Sequence, residues 1–338
     1  MSSRTRVRAI VAVAAVAAAA VAAVVAWAGR GHEGTQVHRL AARVGAPPLE
    51  IDPIVADAGE WAALRNAQSL YTKGLRSQAK TAFETIAAQH PGSLPAVIGD
   101  AVASWPNGTL MQMRALASEH PESGAVQLEL GLVLFWLRHD QEALAAWRKA
   151  ERLEPDTPAA VRAETLVYAG QMPPNRPLFV PAEAGPADIA ALQTPYEQLE
   201  ALRQRAEKVQ TARVWIDYGA ALQRALRPLS AQAAFDHAVA LAPDDPEALT
   251  AAAVARFTKA DPSAAIGRLG PLAQRFPNAA VVRFHFGLCL LWLRGFEDRA
   301  IDELRLAIAA DPGSVWGREA ADLVSRLSKS TSTMTTTG

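Results

Sequence analysis

Six prolines set the rhythm of this chain: Pro91, Pro121 and Pro155 in its first half, Pro243, Pro277 and Pro312 in its second. They follow one another at 30 and 34 residues, then at 34 and 35. A period near 34 is the size of one helix–turn–helix unit. Proline has no N–H to donate and its ring clashes with the preceding turn, so each of the six ends a helix. The motif Gly-Leu-x-Leu-x-Trp-Leu-Arg also occurs twice, as GLVLFWLR at 131–138 and GLCLLWLR at 287–294. Each copy stands one helical hairpin ahead of a turn proline, Pro155 or Pro312.

Small and aromatic residues recur ahead of the prolines. Gly74, Ala79 and Phe83 precede Pro91, and Gly131, Ala143, Trp147 and Ala150 precede Pro155. Trp215, Gly219, Ala231, Phe235 and Ala238 precede Pro243. Ala265 precedes Pro277, and Gly287, Ala300, Leu304 and Ala307 precede Pro312. Over about 59–328 this pattern resembles the tetratricopeptide repeat. The resemblance implies small residues where two antiparallel helices approach, and an aromatic filling the gap to the next unit. It implies an all-α fold, a right-handed α-solenoid of about six to seven helical hairpins.

A second order lies above the repeat. The first three prolines map onto the last three at offsets of 152, 156 and 157, and Phe83, Gly131 and Leu166 map onto Phe235, Gly287 and Leu323 at the same offsets. A three-unit block with a following helix is therefore duplicated, and three units are about the minimum for a stable stack. The blocks span 59–170 and 196–328. Between them, 171–195 carries Pro173, Pro174, Pro177, Pro181, Pro186 and Pro195 and reads as an extended loop. The two blocks either run on as one solenoid, with 158–170 and 196–209 forming an interrupted seventh unit, or hinge at this insert; continuity is the favoured expectation. Residues 29–58 read as a spacer, and the Ser/Thr-rich tail 329–338 as disordered.

The N-terminus is a separate element. Arg4, Arg6 and Arg8 lie in a tail of residues 1–8, ahead of an uncharged run of Ala, Val, Ile and Trp over 9–28. Twenty residues at a rise of about 1.5 Å reach across roughly 30 Å of hydrocarbon. The expectation is one transmembrane helix acting as a signal anchor. The N-terminus would be cytoplasmic and the repeats periplasmic or extracellular, since arginines mark the cytoplasmic side. The alternative is a cleaved signal peptide and a secreted protein, because Ala26-Trp27-Ala28 fits a small-x-small cleavage site. The run exceeds the usual length of a cleavable apolar region, which favours the anchor.

Lysines and arginines equal aspartates and glutamates at 34 each, so no basic excess exists to displace counterions from nucleic acid. The single cysteine, Cys289, rules out a disulfide framework, and its counterpart Val133 marks a packing position. His285 maps onto Glu129, which points to a surface or groove position rather than a metal ligand. None of the seven histidines has short metal-ligand spacing, and no phosphate-binding or nucleophile-elbow motif occurs. No catalytic residue, metal, cofactor or small-molecule substrate is expected.

What remains is the inner face. By the resemblance, the first helix of each unit lines a concave surface. In the first block that face holds Trp61, Leu64, Arg65, Gln68, Tyr71, Leu128, Leu132, Phe135 and Trp136. In the second it holds Arg213, Asp217, Gln223, Arg224, Phe257, Phe284, His285, Leu288, Leu291 and Trp292. Aromatics with arginines are the mixture enriched in interface hot spots. The Lys, Asn and Arg clamp that relatives use on a C-terminal carboxylate is missing. The expected partner is another protein or peptide of the cell envelope, with the membrane engaged only through 9–28. The 171–195 segment is expected to lie in the groove and to be displaced by that partner. Two further hypotheses are an array self-associating through 314–328 and an enzyme with a dispersed site.

Overall fold

The computed structural model describes residues 43, 45–52 and 54–335. Among them there are sixteen helices and no β-strand. The expected transmembrane helix at 9–28 lies outside the described residues. No helix within them is long and apolar enough to cross a membrane.

The chain divides into two compact units. Within the described residues one comprises 43–167 and 193–197, and the other 168–192 and 198–335. The first unit pairs α1 (Ala58–Thr72) with α2 (Arg76–Gln89), α3 (Leu94–Ala103) with α4 (Thr109–Glu119), and α5 (Gly124–Trp136) with α6 (Asp140–Leu153). It ends in α7 (Pro158–Val167). After a short α8 (Ala187–Ala190) and α9 (Pro195–Val209), the second unit repeats the scheme. Its pairs are α10 (Ala212–Arg224) with α11 (Pro228–Leu241), α12 (Pro246–Val254) with α13 (Ser263–Arg275), and α14 (Ala280–Leu290) with α15 (Glu297–Ala310), followed by α16 (Val315–Thr335).

Each of the six turn prolines stands two residues beyond the last residue of a second helix, from Gln89 before Pro91 to Ala310 before Pro312. The hairpin turns have their own logic. Helix α1 closes on Gly74, with a φ of +79°, and the Leu75 N–H reaches back to Leu70 O at 3.0 Å. The equivalent residue of the second unit is Leu226, at a φ of +56°, with the Arg227 N–H on Leu222 O at 2.9 Å. The backbone demands a left-handed residue at this place in both copies, although only one copy supplies glycine.

Packing explains the small residues. Ala79, Ala143, Ala231, Ala265 and Ala300 are all fully buried between the helices of their hairpins. A Cβ placed on Gly131 would sit 2.4 Å from the Trp147 indole, and one on Gly219 would sit 2.5 Å from the Phe235 ring. Glycine there lets the two helices close around an aromatic ring. Along each unit the first helices also touch one another, α1 to α3 to α5 to α7 and α10 to α12 to α14 to α16. One row of helices thus makes a continuous inner face.

Two boundaries differ from the sequence expectation. The last helix runs on to Thr335, well into the Ser/Thr tail expected to be disordered. Extending a formed helix costs little, because each added residue gains a hydrogen bond. The segment 45–52, expected to be spacer, packs instead against the first unit, with Leu49 6% and Ile51 8% exposed.

Candidate peptide-binding grooves

In the second unit the inner face is already occupied. Pro-rich residues 173–183 lie across α10, α12 and α14, held through their main chain by groove side chains. Gln223, in the last turn of α10, accepts the Phe179 N–H at 3.0 Å. His285 Nε2 accepts the Val180 N–H at 2.9 Å, and Glu247 accepts the Ala182 N–H at 2.8 Å. In the other direction, Trp316 Nε1 donates to Val180 O at 2.7 Å, Trp292 Nε1 to Asn175 O at 3.3 Å and Arg213 to Glu183 O at 2.8 Å. Phe179 stacks on the His285 ring at 4.8 Å and meets Phe235 edge-on at 5.6 Å.

These contacts fix the state of His285. Its Nδ1 lies 2.7 Å from Val281 O and so carries the proton, leaving Nε2 free to accept. Full burial pushes its pKa down to about 3, in line with that neutral tautomer. Arg213 spans Asp217 at 2.7 Å and Glu247 at 3.5 Å. Burial raises both carboxyls above the usual range, and the guanidinium pulls against it.

The first unit shows the same arrangement with different chemistry. Residues 45–51 cross its inner face. Tyr71 donates its hydroxyl to Pro47 O at 2.6 Å, and Gln68 donates to Leu49 O at 3.0 Å. The Glu50 N–H donates to Glu129 Oε1 at 2.7 Å. Glu129 is 1% exposed, and burial raises its pKa to about 8, so its carboxyl is protonated at neutral pH. The Glu50 side chain meets Arg162 at 3.4 Å. Arg43 lies over the Phe135 ring at 3.6 Å and pairs with Asp140 at 2.7 Å.

The residues predicted for the concave face fall into three groups. Tyr71, Arg213, His285 and Trp292 bond to the main chain of an occupant, and Phe135 carries Arg43. Phe257, Phe284 and Leu291 are at most 2% exposed and build the groove floor, with Phe257 edge-on to Trp292 at 6.2 Å. Trp61, Arg65 and Arg224 take no part in these contacts. Arg65 lies over Trp61 at 5.0 Å, and Arg224 is exposed at the end of α10. Trp136 is half-buried beside Phe135 at 5.8 Å, and its Nε1 is buried without a hydrogen-bond partner.

Sequence reasoning missed Trp316 and Glu247, which hold the insert, and Pro47, Leu49 and Ile51, which fill the first groove. The signal was present but faint: Pro-x-Leu at 47–49 and Pro-x-Phe at 177–179. Cys289 is fully buried and burial pushes its thiol pKa up, which leaves it unreactive. Among the described residues no cluster of His, Cys, Asp and Glu could hold a metal ion.

No protein-family model matches the chain, and no curated protein matches it. Some solved structures resemble it at low scores. One is a tetratricopeptide repeat protein from Parabacteroides merdae, 12% identical over 80% of this chain and 99% of that one, with a TM-score of 0.33. Another is the TPR2AB domain of yeast Sti1 in its complex with pHSP90, 13% identical over 80% and 99%, with a TM-score of 0.27. The Cut9–Hcn1 hetero-tetramer of the APC/C is 16% identical over 81% of this chain, at a TM-score of 0.28; the chain spans only 57% of that one. At such scores no ligand passes from these proteins to this one, and the repeat stands on the hairpins described above.

Proposed function

We propose that this protein is an interaction scaffold whose two inner faces each take up an extended peptide of a partner protein, in exchange for the segment now lying there. The observation that carries the reading is the bonding of 175–183. Four of its peptide groups are met by the side chains of Gln223, His285, Trp292 and Trp316. Such bonds suit any extended chain, because the main chain is the same in every sequence. Chemistry on a substrate is no part of this reading.

The membrane side of the proposal rests on the sequence. Residues 9–28 would anchor the protein and place both units outside the cytoplasm, where the partner is another envelope protein. Membrane fractionation with protease protection tests this: the repeats should be cut only from the outer side.

Removal of 173–183 tests the groove. Trp292 and Trp316 should become accessible to a collisional quencher, and their emission should shift to the red. Unchanged quenching would show that the groove is not opened by loss of the segment.

A further inference from the structure

The two groove segments are copies of one pattern, 130 residues apart. Each begins with a residue at positive φ, +80° at Gly45 and +63° at Asn175. Two residues on stands a buried proline, Pro47 or Pro177. Alternate residues then point inward: Leu49 and Phe179, 6% and 4% exposed, and after them Ile51 and Pro181, also buried. Between proline and aliphatic or aromatic residue, Pro48 and Leu178 are more open. The next N–H, of Glu50 or Val180, donates to Glu129 or His285. Those acceptors are one position of the duplicated repeat, 156 residues apart. Tyr71 and Gln223 are likewise one position, 152 apart, but Tyr71 donates to Pro47 O while Gln223 accepts the Phe179 N–H, one peptide group further along.

The register therefore coincides in the positive φ, in the burial of the third, fifth and seventh residues and in the N–H bond of the sixth, whose side chain is buried at Val180 and half-buried at Glu50. Across the seven aligned residues, GAPPLEI and NRPLFVP, only the proline is identical. What the two occupants share is a shape. A left-handed residue turns the chain into the groove, and proline fixes φ in the extended region and lowers the entropy lost on binding. The period of two in an extended chain then sends every second side chain to the floor.

We infer that both grooves select one class of peptide, an extended (Gly/Asn)-x-Pro-x-(Leu/Phe)-x-(Ile/Pro) segment of another protein, read by apolar burial at alternate positions and by the N–H of the sixth residue. This rests on the exchange proposed above and names its ligand. It makes the chain's own 45–51 and 175–181 built-in competitors for that ligand.

The test uses the full chain carrying Phe179→Ser, which weakens its own occupant, and fluorescein-labelled peptides spanning 173–184 and 43–52. If Phe179→Ser fails to fold by circular dichroism, Val180→Pro replaces it, removing the N–H donor while keeping the segment apolar and extended. Both peptides should bind the variant at least tenfold more tightly than the unaltered chain. A 173–184 peptide N-methylated at the residue matching Val180 should lose roughly tenfold, the worth of one hydrogen bond. Replacing its Phe by Asp should abolish binding. Equal binding of extended peptides lacking the pattern, or an N-methyl effect below about twofold, would overturn the proposed class while leaving a peptide scaffold standing. No binding by any peptide, with quenching showing the groove open, would overturn both.

Discussion

The two grooves are duplicates that hold similar segments at the same position with opposite proton chemistry. In the first unit the acceptor for the occupant's N–H is Glu129, a buried acid kept neutral up to about pH 8. In the second it is His285, a buried base kept neutral down to about pH 3. Both satisfy one amide in a dry site, and both do so uncharged, because an ion there would lose its hydration. The dry site, rather than the bond, requires a neutral acceptor; which residue type supplies it is left open. The price of that freedom is a difference in how pH acts on each unit.

Phe179→Ala would break the comparison most. It empties the site between Phe235 and His285, and such a loss costs about 3–5 kcal/mol. Hydrogen exchange should rise in α10, α12 and α14, while α1, α3 and α5 keep their protection. Leu49→Ala should do the reverse at about 2–4 kcal/mol. If either change loosened both units alike, the grooves would not be separate sites.

Gly219→Ala and Gly131→Ala test the shared packing beneath the grooves. Each new methyl would meet a buried ring at about half an ångström inside the closest real contact of 3.0 Å. Overpacking of this kind costs about 1–3 kcal/mol. Melting curves of the two variants should shift downward by similar amounts; a neutral Gly131→Ala would show that Trp147 has room to move.

The pH responses should have opposite signs. Glu129 has a raised pKa, so its contribution to the first unit is fully present below about pH 4.5 and is lost as pH rises towards 8. Burial is the main cost of its ionisation, the Glu50 carboxylate adds to it and the Glu50 N–H bond opposes it, while Tyr71 beside it stays neutral. His285 has a lowered pKa, so its contribution is present above about pH 6.5 and lost as pH falls towards 3. One proton sets a limiting slope of about 1.4 kcal/mol per pH unit in each window. Protection of 45–52 should thus fall between pH 5 and 8, and that of 175–183 between pH 6 and 3. Glu129→Gln keeps a neutral acceptor and should flatten the first profile alone.

The smallest effect concerns the hairpin turns. Gly74 and Leu226 hold equivalent left-handed positions. Nothing lies within 4 Å of a Cβ on Gly74, so Gly74→Leu changes backbone strain alone and should cost about 1 kcal/mol. Denaturant midpoints measure it. Arg138→Gly, which relieves the same strain at a φ of +69°, should gain a similar amount.

The hairpins were legible because their causes are local. A proline two residues past a helix, a glycine beneath an indole and an alanine at a helix crossing each leave a fixed residue type at a fixed spacing, and Val133 opposite Cys289 already told packing from reactivity. The composition of the inner face was legible for the same reason, since Tyr71, Arg213, His285 and Trp292 stand at repeat positions.

What covers that face was decided only by the tertiary structure. The contacts that seat 45–51 and 175–183 are made to peptide groups, which every residue carries, so they leave almost no trace in side-chain identity. One shared proline was too little to reveal a second duplication. Nor does the sequence say that Glu129 and His285 would be neutral: both look like surface charges in the chain, and it is burial beneath an extended segment far away in sequence that takes their charge from them.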